Sequence, residues 1–358
     1  MLLWREFFLL LFVYRCLYSV AGQVLITQFT QLGDAHRYQS GAASLHVSFL
    51  WNSTLFTEMV GLVLWALTFG NKVAINIGFQ AIAFFGIYKF MMALEPELRK
   101  KVALLLFFPS FSIWTSSAGK ETIVVFALGV LCAYLVDIYY GRDRFRLLQL
   151  SSVYLLFIFK AHYLIPIMFV FFVTKVSART SRKALVALIV GLVSLLPLYA
   201  FRDRISELSF AVLPHFLVEV GKQGRSTREA FWVDQWDVFW KAPEGMFQSF
   251  YGPTLAELFS QDAQILKIWS FSESLLLIAI LGLIFIRQLP TMPAYNFVVA
   301  TFGLFWILFP NYPFGVMNPG SAIRYRSGYY LFVAMIVVLF ASREVFVRWR
   351  DNRPTSDR

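Results

Sequence analysis

One short segment, residues 33–38, places a carboxylate beside a cation and a phenol. Asp34 comes early in it, and Arg37 and Tyr38 follow within about one helical turn. A carboxylate at a membrane surface can act as a general base or hold a divalent metal ion, while a guanidinium and a phenol can bind a substrate. A solvated turn is the alternative interpretation of the same residues.

A second segment, residues 108–121, combines a helix breaker, small hydroxyl residues and two opposite charges. Pro109 interrupts a helix, and the run after it is rich in Ser, Thr and Gly before it reaches Lys120 and Glu121. A helix N-terminus that carries hydroxyl groups and a lysine suits a phosphate group. The alternative is ordinary turn chemistry, with Ser117 as an N-cap and Glu121 at the positive end of the helix dipole.

Two more segments carry cations that suit an anionic partner. Lys160 and His162 interrupt a long apolar run, and Arg324, Tyr325 and Arg326 precede the last apolar run. An ammonium group attracts a phosphate, and two guanidinium groups beside a phenol suit a pyrophosphate or a sugar phosphate. The alternatives are snorkelling of the lysine to the membrane surface and anchoring of the last helix by the two arginines.

The elements that must position these residues are membrane helices. The chain has 358 residues, 58% of them hydrophobic and 15% charged, and its mean hydropathy is +0.64. Soluble domains carry roughly 25% charged residues, so the composition excludes a soluble enzyme, a nucleic-acid-binding module and a disordered protein. Runs of about 20 apolar residues predict an all-α, polytopic transmembrane helical bundle, because only helices satisfy their own backbone groups in lipid.

The basic residues between the apolar runs predict the topology. They cluster at 99–101, 142–146, 175–183 and in the tail 343–358, and cytoplasmic loops collect Lys and Arg. We expect about ten crossings with both termini in the cytoplasm, a hairpin at 147–174 and a re-entrant or interfacial helix at 53–70. The predicted membrane segments are 7–26, 53–70, 73–94, 101–116, 120–140, 147–159, 162–174, 183–201, 270–287, 293–310 and 327–345. This topology places all four candidate segments on the outer side, where they would build one site for an anionic substrate.

The same topology divides the chain into three parts. Residues 1–202 form an N-terminal transmembrane module, 203–268 an extracytoplasmic loop, and 269–358 the C-terminal transmembrane helices with a basic cytoplasmic tail. Aromatic residues are frequent in the loop: Phe231, Trp232, Trp236, Phe239, Trp240, Phe247, Phe250 and Tyr251. They suit amphipathic helices at the membrane interface, a rim that binds glycans or lipid headgroups, or both.

The order of the candidate residues resembles that of the GT-C glycosyltransferases, which include aminoarabinose transferases, protein O-mannosyltransferases and oligosaccharyltransferase catalytic subunits. The matching residues lie within 1–200 and are Asp34, Tyr38, the stretch 109–121, Lys160 and Pro166. The stretch from Trp114 to Glu121 is also similar to bacterial polysaccharide-polymerase-type membrane proteins. The chain departs from the family in having one acid in the first loop, where some members have two, and in lacking a large C-terminal soluble domain.

The resemblance implies a membrane glycosyltransferase or glycan polymerase. Its donor would be a polyprenyl-phosphate- or diphosphate-linked sugar, used on the outer face of a bacterial inner membrane during surface polysaccharide assembly. Asp34 would be the acceptor-activating base and Glu121 a secondary acid, or the two would ligand a divalent Mg or Mn ion; the resemblance leaves open whether such a cofactor is needed. The expected substrate-binding residues are Arg37, Tyr38, Lys120, Lys160, His162, Arg324, Tyr325 and Arg326.

The expected partners are the lipid-linked donor, a glycan or lipid acceptor, membrane lipids and other polysaccharide-assembly proteins, but no nucleic acid. A non-catalytic transporter or flippase of lipid-linked glycans is the main alternative, and a structural subunit of a synthesis complex is another. A transporter should carry charged residues near mid-membrane on several helices. Arg15 is the one clearly mid-span charge in the sequence, which favours an enzyme with a surface site.

Overall fold

The computed structural model describes residues 4–28, 33–43, 46–212, 214, 228, 231–259 and 265–340. Every regular element within these ranges is a helix, which confirms the all-α prediction for the described part of the chain. Glu219, Glu229 and Asp262 of the predicted loop and the basic residues beyond 340 lie outside the described residues. The α-helices are α1 (Trp4–Val24), α2 (Ala35–Tyr38), α3 (Ser53–Leu67), α4 (Lys72–Ala93), α5 (Pro96–Leu105), α6 (Pro109–Thr115), α7 (Lys120–Tyr139), α8 (Leu147–Lys160), α9 (Leu164–Ser177), α10 (Lys183–Ala200), α11 (Arg202–Phe210), α12 (Asp237–Trp240), α13 (Ala242–Tyr251), α14 (Leu255–Leu258), α15 (Ile265–Gln288), α16 (Ala294–Leu308), α17 (Tyr312–Gly315) and α18 (Pro319–Met335).

Several of these helices have the length and composition of membrane spans. The described residues contain seven such stretches: Trp4–Gln28, Lys72–Ala93, Lys120–Tyr139, Leu147–Ser177, Lys183–Ala200, Ile265–Thr291 and Pro319–Phe340. Helices α3 and α16 are also apolar but shorter. The chain is therefore a multi-pass membrane protein, as its composition predicts.

Two predicted segments take a different form in the structure, and a third keeps its predicted form. The segment 101–116 is divided between α5 and α6, because Pro109 lacks an N–H group and begins a new helix. The segment 147–174 consists of α8 and α9 joined by the 3-10 turn Ala161–Tyr163, and Lys175 near the end of α9 contacts Asp143 just before α8, so the two ends of the segment lie together, as in the predicted hairpin. The last helix begins at Pro319, so Arg324 lies inside it rather than in a loop before it. The number of crossings stays a prediction.

The chain forms two compact units. Unit 1 comprises Met1–Tyr134, Phe145–Leu164 and Arg324–Phe332, and unit 2 comprises Leu135–Arg144, Ile165–Ile323 and Val333–Arg358. The candidate site residues all belong to unit 1.

Helices α1 and α4 of unit 1 pack antiparallel along a polar seam. Gln80 of α4 donates to the carbonyl of Phe12 (3.3 Å), and Asn76, one turn earlier, donates to the carbonyl of Ser19 (3.4 Å), which is two turns later on α1. Asn76 and Gln80 are fully buried. Amide side chains in apolar helices stabilise such a pair because their hydrogen bonds have no competition from water.

A second helix crossing in unit 1 depends on two glycines. A Cβ atom at Gly86 of α4 would lie 2.5 Å from the Cα of Phe126, and one at Gly129 of α7 would overlap the backbone of Gly86. The two backbones therefore touch directly. Small residues allow this close approach between membrane helices, where dispersion contacts replace the hydrophobic effect as the source of stability.

The polar part of unit 2 has a core of its own. Trp232 and Tyr312 are fully buried against each other, with ring centroids 5.7 Å apart, and Val238, Ala242 and Phe309 pack around them. The guanidinium of Arg228 lies beside this core. It donates hydrogen bonds to the backbone carbonyls of Val316 and Gly252 and to both carboxylate oxygens of Glu257. The predicted aromatic loop is thus a packed helical element in its described part.

The loop's aromatic residues divide into buried and exposed sets. Trp232 serves the core, whereas Trp240 is 81% exposed and Phe247 is 57% exposed. Trp240 ends α12 and Phe247 lies on α13, so the exposed rings stand on short helices with polar neighbours. This arrangement suits contact with a membrane interface or with a carbohydrate.

The glycine crossing predicts opposite effects for two identical substitutions. Gly129→Ala should lower the thermal stability of the protein in detergent, because overpacking a close contact costs about 1–3 kcal/mol. Gly282→Ala, on α15 where a Cβ would meet nothing within 4 Å, is the matched control. It should leave stability unchanged or raise it, because alanine favours a helix by about 1 kcal/mol over glycine. Equal melting shifts for the two variants would contradict the backbone contact.

Candidate functional site

The centre of the candidate site is an ion pair between Glu121 and Arg324. The Nε of Arg324 lies 2.7 Å from Oε1 of Glu121, and Nη2 donates to Oε2 at 3.5 Å. The side chain of Glu121 is 7% exposed and that of Arg324 is 24% exposed. Glu121 begins α7 and Arg324 lies in the second turn of α18, so the pair joins residues that are far apart in sequence. It combines a residue predicted to be catalytic with one predicted to hold a phosphate.

The position of Arg324 follows from where α18 begins. Asn318 accepts a hydrogen bond from the backbone N–H of Ser321 at 3.0 Å, which is N-cap geometry and starts the helix at Pro319. The guanidinium of Arg324 then packs on Gly33, whose φ is +54°. A Cβ there would lie 2.6 Å from Nη1, so glycine is needed both for the backbone conformation and for the space.

Two lysines flank this ion pair. Lys120 donates from Nζ to Oγ1 of Thr54 at 2.7 Å, so the start of α7 is tied to the start of α3. Lys160 ends α8 and lies over the ring of Tyr325, with Nζ 4.1 Å from the ring centroid. A cation in this position gains from the negative face of the ring. The two ammonium groups are thus fixed by different helices, and both lie within electrostatic reach of Glu121.

Arg37 pairs with Glu58, a residue that the motif-based predictions did not include. Arg37 donates from Nε to Oε1 of Glu58, whose side chain is 7% exposed. Helix α3 crosses α2 closely here, because a Cβ at Gly61 would overlap the carbonyl oxygen of Tyr38. The sequence signal for this pair is a single acid within an otherwise apolar helix, which needs a partner.

Tyr38 presents an unusual buried phenol. Its side chain is 1% exposed, and its hydroxyl has no hydrogen-bond partner among the described residues. Burial, together with the nearby carboxylates of Asp34 and Glu121, raises the pKa of Tyr38 above its ordinary value. The phenol therefore keeps its proton and remains a hydrogen-bond donor.

Asp34 differs from the other two carboxylates of the cluster. It is exposed and occupies the N-cap position of α2 without a side-chain capping bond. Within the described part of the chain its carboxylate forms no hydrogen bond or ion pair, although it lies in electrostatic reach of Lys120 and Arg324. It is therefore the carboxylate best placed to accept a proton from an incoming group.

The structure does not bring Arg326 and His162 into this cluster. Arg326 is buried and donates from Nη2 to Oγ of Ser110 at 3.0 Å. Because residues on a helix are about 100° apart, Arg326 and Arg324 point to different sides of α18. His162 packs its ring edge to face on Tyr163, with centroids 4.9 Å apart. The contacts of Arg326 are those of an anchor between α18 and α6.

A buried network supports the loop that precedes Lys120. Arg15 of α1 donates from Nη2 to the carbonyl of Thr115 (3.0 Å), and Ser19 donates to the carbonyl of Ser116 (2.8 Å). Asn76 accepts from the backbone N–H of Ala118 at 2.9 Å. The sequence shows Arg15 as a mid-span charge and indicates no partner for it. Its partner is the C-terminal end of α6, whose carbonyls carry partial negative charge.

The structure identifies no metal-binding group in the residues that it describes. Those residues include no cluster of three or more His, Cys, Asp or Glu side chains. Glu121, one of the two predicted ligands, directs both oxygens at Arg324. The use of a divalent ion by Asp34 and Glu121 stays a prediction.

Comparison with protein-family models, with curated proteins and with solved structures found no match to this chain. The resemblance to GT-C glycosyltransferases is therefore carried by the short motifs alone. The structure adds that four of the motif residues lie near the ion pair of Glu121 and Arg324, within unit 1. They are Asp34, Tyr38, Lys120 and Lys160.

The ion pair predicts strong coupling between Glu121 and Arg324. Glu121→Gln leaves a buried guanidinium without its partner and should lower the free energy of unfolding by about 3 kcal/mol. Arg324→Gln should have a similar effect, and the double variant should lose much less than the sum of the two. Chemical unfolding of the four proteins in detergent micelles measures this coupling.

An exposed pair of the same type provides the control. Arg204 and Glu207 form an ion pair in which the side chains are 67% and 62% exposed. Neutralising them singly and together should reveal a coupling of about 0.5 kcal/mol or less, because water screens the pair. Additive effects at Glu121 and Arg324 would show that the buried pair does not hold these two helices together.

Proposed function

We propose that this chain is a membrane glycosyltransferase or glycan polymerase. It transfers a sugar or oligosaccharide from a polyprenyl-phosphate- or diphosphate-linked donor, on the outer face of a bacterial inner membrane, during surface polysaccharide assembly. The observation that carries this proposal is the exposed carboxylate of Asp34 beside a cluster of cations at the ends of membrane helices. Such a site can receive a lipid-linked anion from the membrane and a hydroxyl acceptor from water.

The proposed reaction uses the two kinds of group in separate roles. Asp34 takes the proton from an acceptor hydroxyl, whose oxygen attacks the anomeric carbon of the donor sugar. The bond from that carbon to the phosphate oxygen breaks, and the leaving phosphate keeps the electron pair. Lys120 and Lys160 stabilise the charge that develops on the phosphate, and the phenol of Tyr38 donates a hydrogen bond to it.

Glu121 has a different role in this proposal from the one that the motif alone suggests. Both of its carboxylate oxygens accept hydrogen bonds from Arg324. It therefore fixes the direction of the guanidinium and holds α18 against the start of α7. Glu121 positions the cationic side of the site, and Asp34 alone acts as the base.

The proposed topology has about ten crossings, an extracytoplasmic loop at 203–268 and both termini in the cytoplasm. It is supported by the clustering of Lys and Arg at 99–101, 142–146 and 175–183. The exposed Trp240 and Phe247 of the loop suit the outer interface, where they contact lipid headgroups or the growing glycan.

A transporter or flippase of lipid-linked glycans is the alternative function. Arg15 is the observation that favours it, because a buried cation in a membrane helix is by default a candidate for a transport path. Its contacts weigh against that role: Nη2 binds Thr115, and the guanidinium lies over the ring of Phe111, 5.1 Å from the centroid. These contacts hold a loop in place.

Asp34→Asn should abolish sugar transfer without lowering the amount of folded protein in the membrane. Loss of a positioned general base typically costs about 10²- to 10⁴-fold in rate. The fold should survive because the carboxylate makes no contact that an amide would break within the described residues. Turnover of a polyprenyl-linked sugar by the purified protein in lipid measures the effect.

The matched control is Glu207→Gln, an exposed acid of the loop segment that lies outside the cluster. It should retain full turnover. Near-normal turnover in Asp34→Asn would remove Asp34 from the mechanism. Movement of a lipid-linked glycan across vesicles without any transfer would establish the transporter instead.

The topology predicts opposite labelling of two exposed positions by a membrane-impermeant thiol reagent. In a background with Cys16→Ser and Cys132→Ala, Ser40→Cys should react in intact spheroplasts, because it lies on the outer side. Ser181→Cys, in the basic segment between α9 and α10, should react only after the membrane is permeabilised. Both side chains belong to exposed residues, so burial does not protect them. Protection at Ser40 with labelling at Ser181 would invert the proposed orientation and place the site in the cytoplasm.

A further inference from the structure

A cavity lies where the ends of several helices of unit 2 meet. Its volume is about 180 Å³, far more than the roughly 15 Å³ that one water molecule needs. The end of α7, the end of α9, the start of α10 and the start of α16 all contribute to its wall. The cavity is separate in sequence from every residue of the candidate site.

The wall of this cavity is apolar at some places and cationic at others. Ile138 and the ring of Tyr139 supply apolar surface, and the hydroxyl residue Ser177 is buried beside them. Lys175, Lys183 and Asp143 also line the cavity, and Lys175 pairs with Asp143, so the two lysines of the wall outnumber its one acid. A ligand that fits must therefore combine an anionic group with an apolar part.

The charge around the cavity is strongly positive. The segments 135–144 and 175–183 contain two acids, Asp137 and Asp143, and each is already engaged by a cation, Arg142 and Lys175 respectively. The other cations in these segments are Arg144, Arg179, Arg182 and Lys183. Six cations against two acids give these segments a net charge of +4. This field attracts an anion, and its range is limited by salt to about 10 Å at 0.1 M.

We propose that this cavity binds the phosphoryl headgroup of an anionic membrane lipid. Lys175 and Lys183 contact the phosphate oxygens, Ser177 supplies a hydroxyl, and the first carbons of the lipid lie against Ile138 and Tyr139. A lipid fits better than a free phosphate because the wall is partly apolar and is built from the ends of membrane-spanning helices. Basic pockets between helix ends recognise anionic lipids by this combination of charge and apolar surface. The proposal does not depend on the chain being a glycosyltransferase.

The test uses the full chain, purified in a neutral detergent, and fluorescent short-chain phosphatidylglycerol as the probe. Phosphatidylglycerol should bind, and phosphatidylcholine with the same chains should bind at least tenfold more weakly. Each of Lys175→Gln and Lys183→Gln should weaken binding by about fivefold, the value expected for one basic residue at an anionic lipid surface. The charge-preserving variant Lys175→Arg with Lys183→Arg should bind nearly as the wild type does, which separates loss of charge from loss of fold.

Lys100→Gln is the matched control, because Lys100 is an exposed lysine that also forms an ion pair, with Glu97, and it belongs to unit 1. It should leave phosphatidylglycerol binding unchanged. Inorganic phosphate, added in excess, should compete only weakly. Strong competition by phosphate alone would overturn the lipid as the source and leave a soluble phosphate compound as the ligand. Unchanged binding in the two glutamine variants, or equal binding of phosphatidylcholine, would overturn the site itself.

Discussion

The ion pair between Glu121 and Arg324 is the constraint on which the candidate site depends. Two opposite charges buried at the ends of membrane helices attract strongly, and separating them leaves each without water. The pair therefore fixes the start of α7 against α18 and excludes arrangements in which either helix rotates away. Gly33 must then approach the guanidinium, which brings Asp34 to the same place. The ion pair between Glu121 and Arg324 thus determines the position of Asp34, although Asp34 is not a member of that pair.

A second set of contacts keeps the start of α7 at the correct depth. The loop from Thr115 to Gly119 is held by Arg15 and Ser19 of α1 and by Asn76 of α4, through bonds to its backbone. Unpaired backbone groups are costly in an apolar environment, so this loop can be buried only where side chains replace water. The polar residues of α1 and α4 therefore provide the hydrogen bonds that allow a break between α6 and α7.

The sequence predicts the helical class well, because apolar runs of membrane length have no other stable structure in lipid. It also predicts the break at Pro109 from the chemistry of proline alone. The predicted topology puts Asp34, Tyr38, Lys120, Lys160 and Arg324 on one side of the membrane, and the structure groups these residues around one ion pair. Composition and charge thus predict the fold class and the residues of the cluster. They do not predict which of these residues form ion pairs or hydrogen bonds with each other.

The pairing depends on side-chain directions that spacing does not reveal. Arg324 and Arg326 look equivalent as two guanidinium groups beside a tyrosine, yet the start of α18 at Pro319 sends one to Glu121 and the other to Ser110. Glu58 and Asn76 carry no motif, and their partners lie on other helices. A lone polar residue in an apolar helix indicates that its side chain needs a polar partner. It does not indicate which residue of another helix that partner is.

The partners of the charged residues in unit 1 help to distinguish an enzyme site from a transport path. A transport path needs polar groups that exchange partners as the substrate passes, whereas Arg15, Ser19 and Asn76 each bind a backbone group of the loop before α7. Arg37 and Arg324 are each engaged by a buried carboxylate. Asp34 alone among the three acids of the cluster is exposed and outside any ion pair in the described chain. A cationic frame with one exposed base fits the proposed proton abstraction beside a phosphate leaving group, because preorganised charges cost no rearrangement during the reaction.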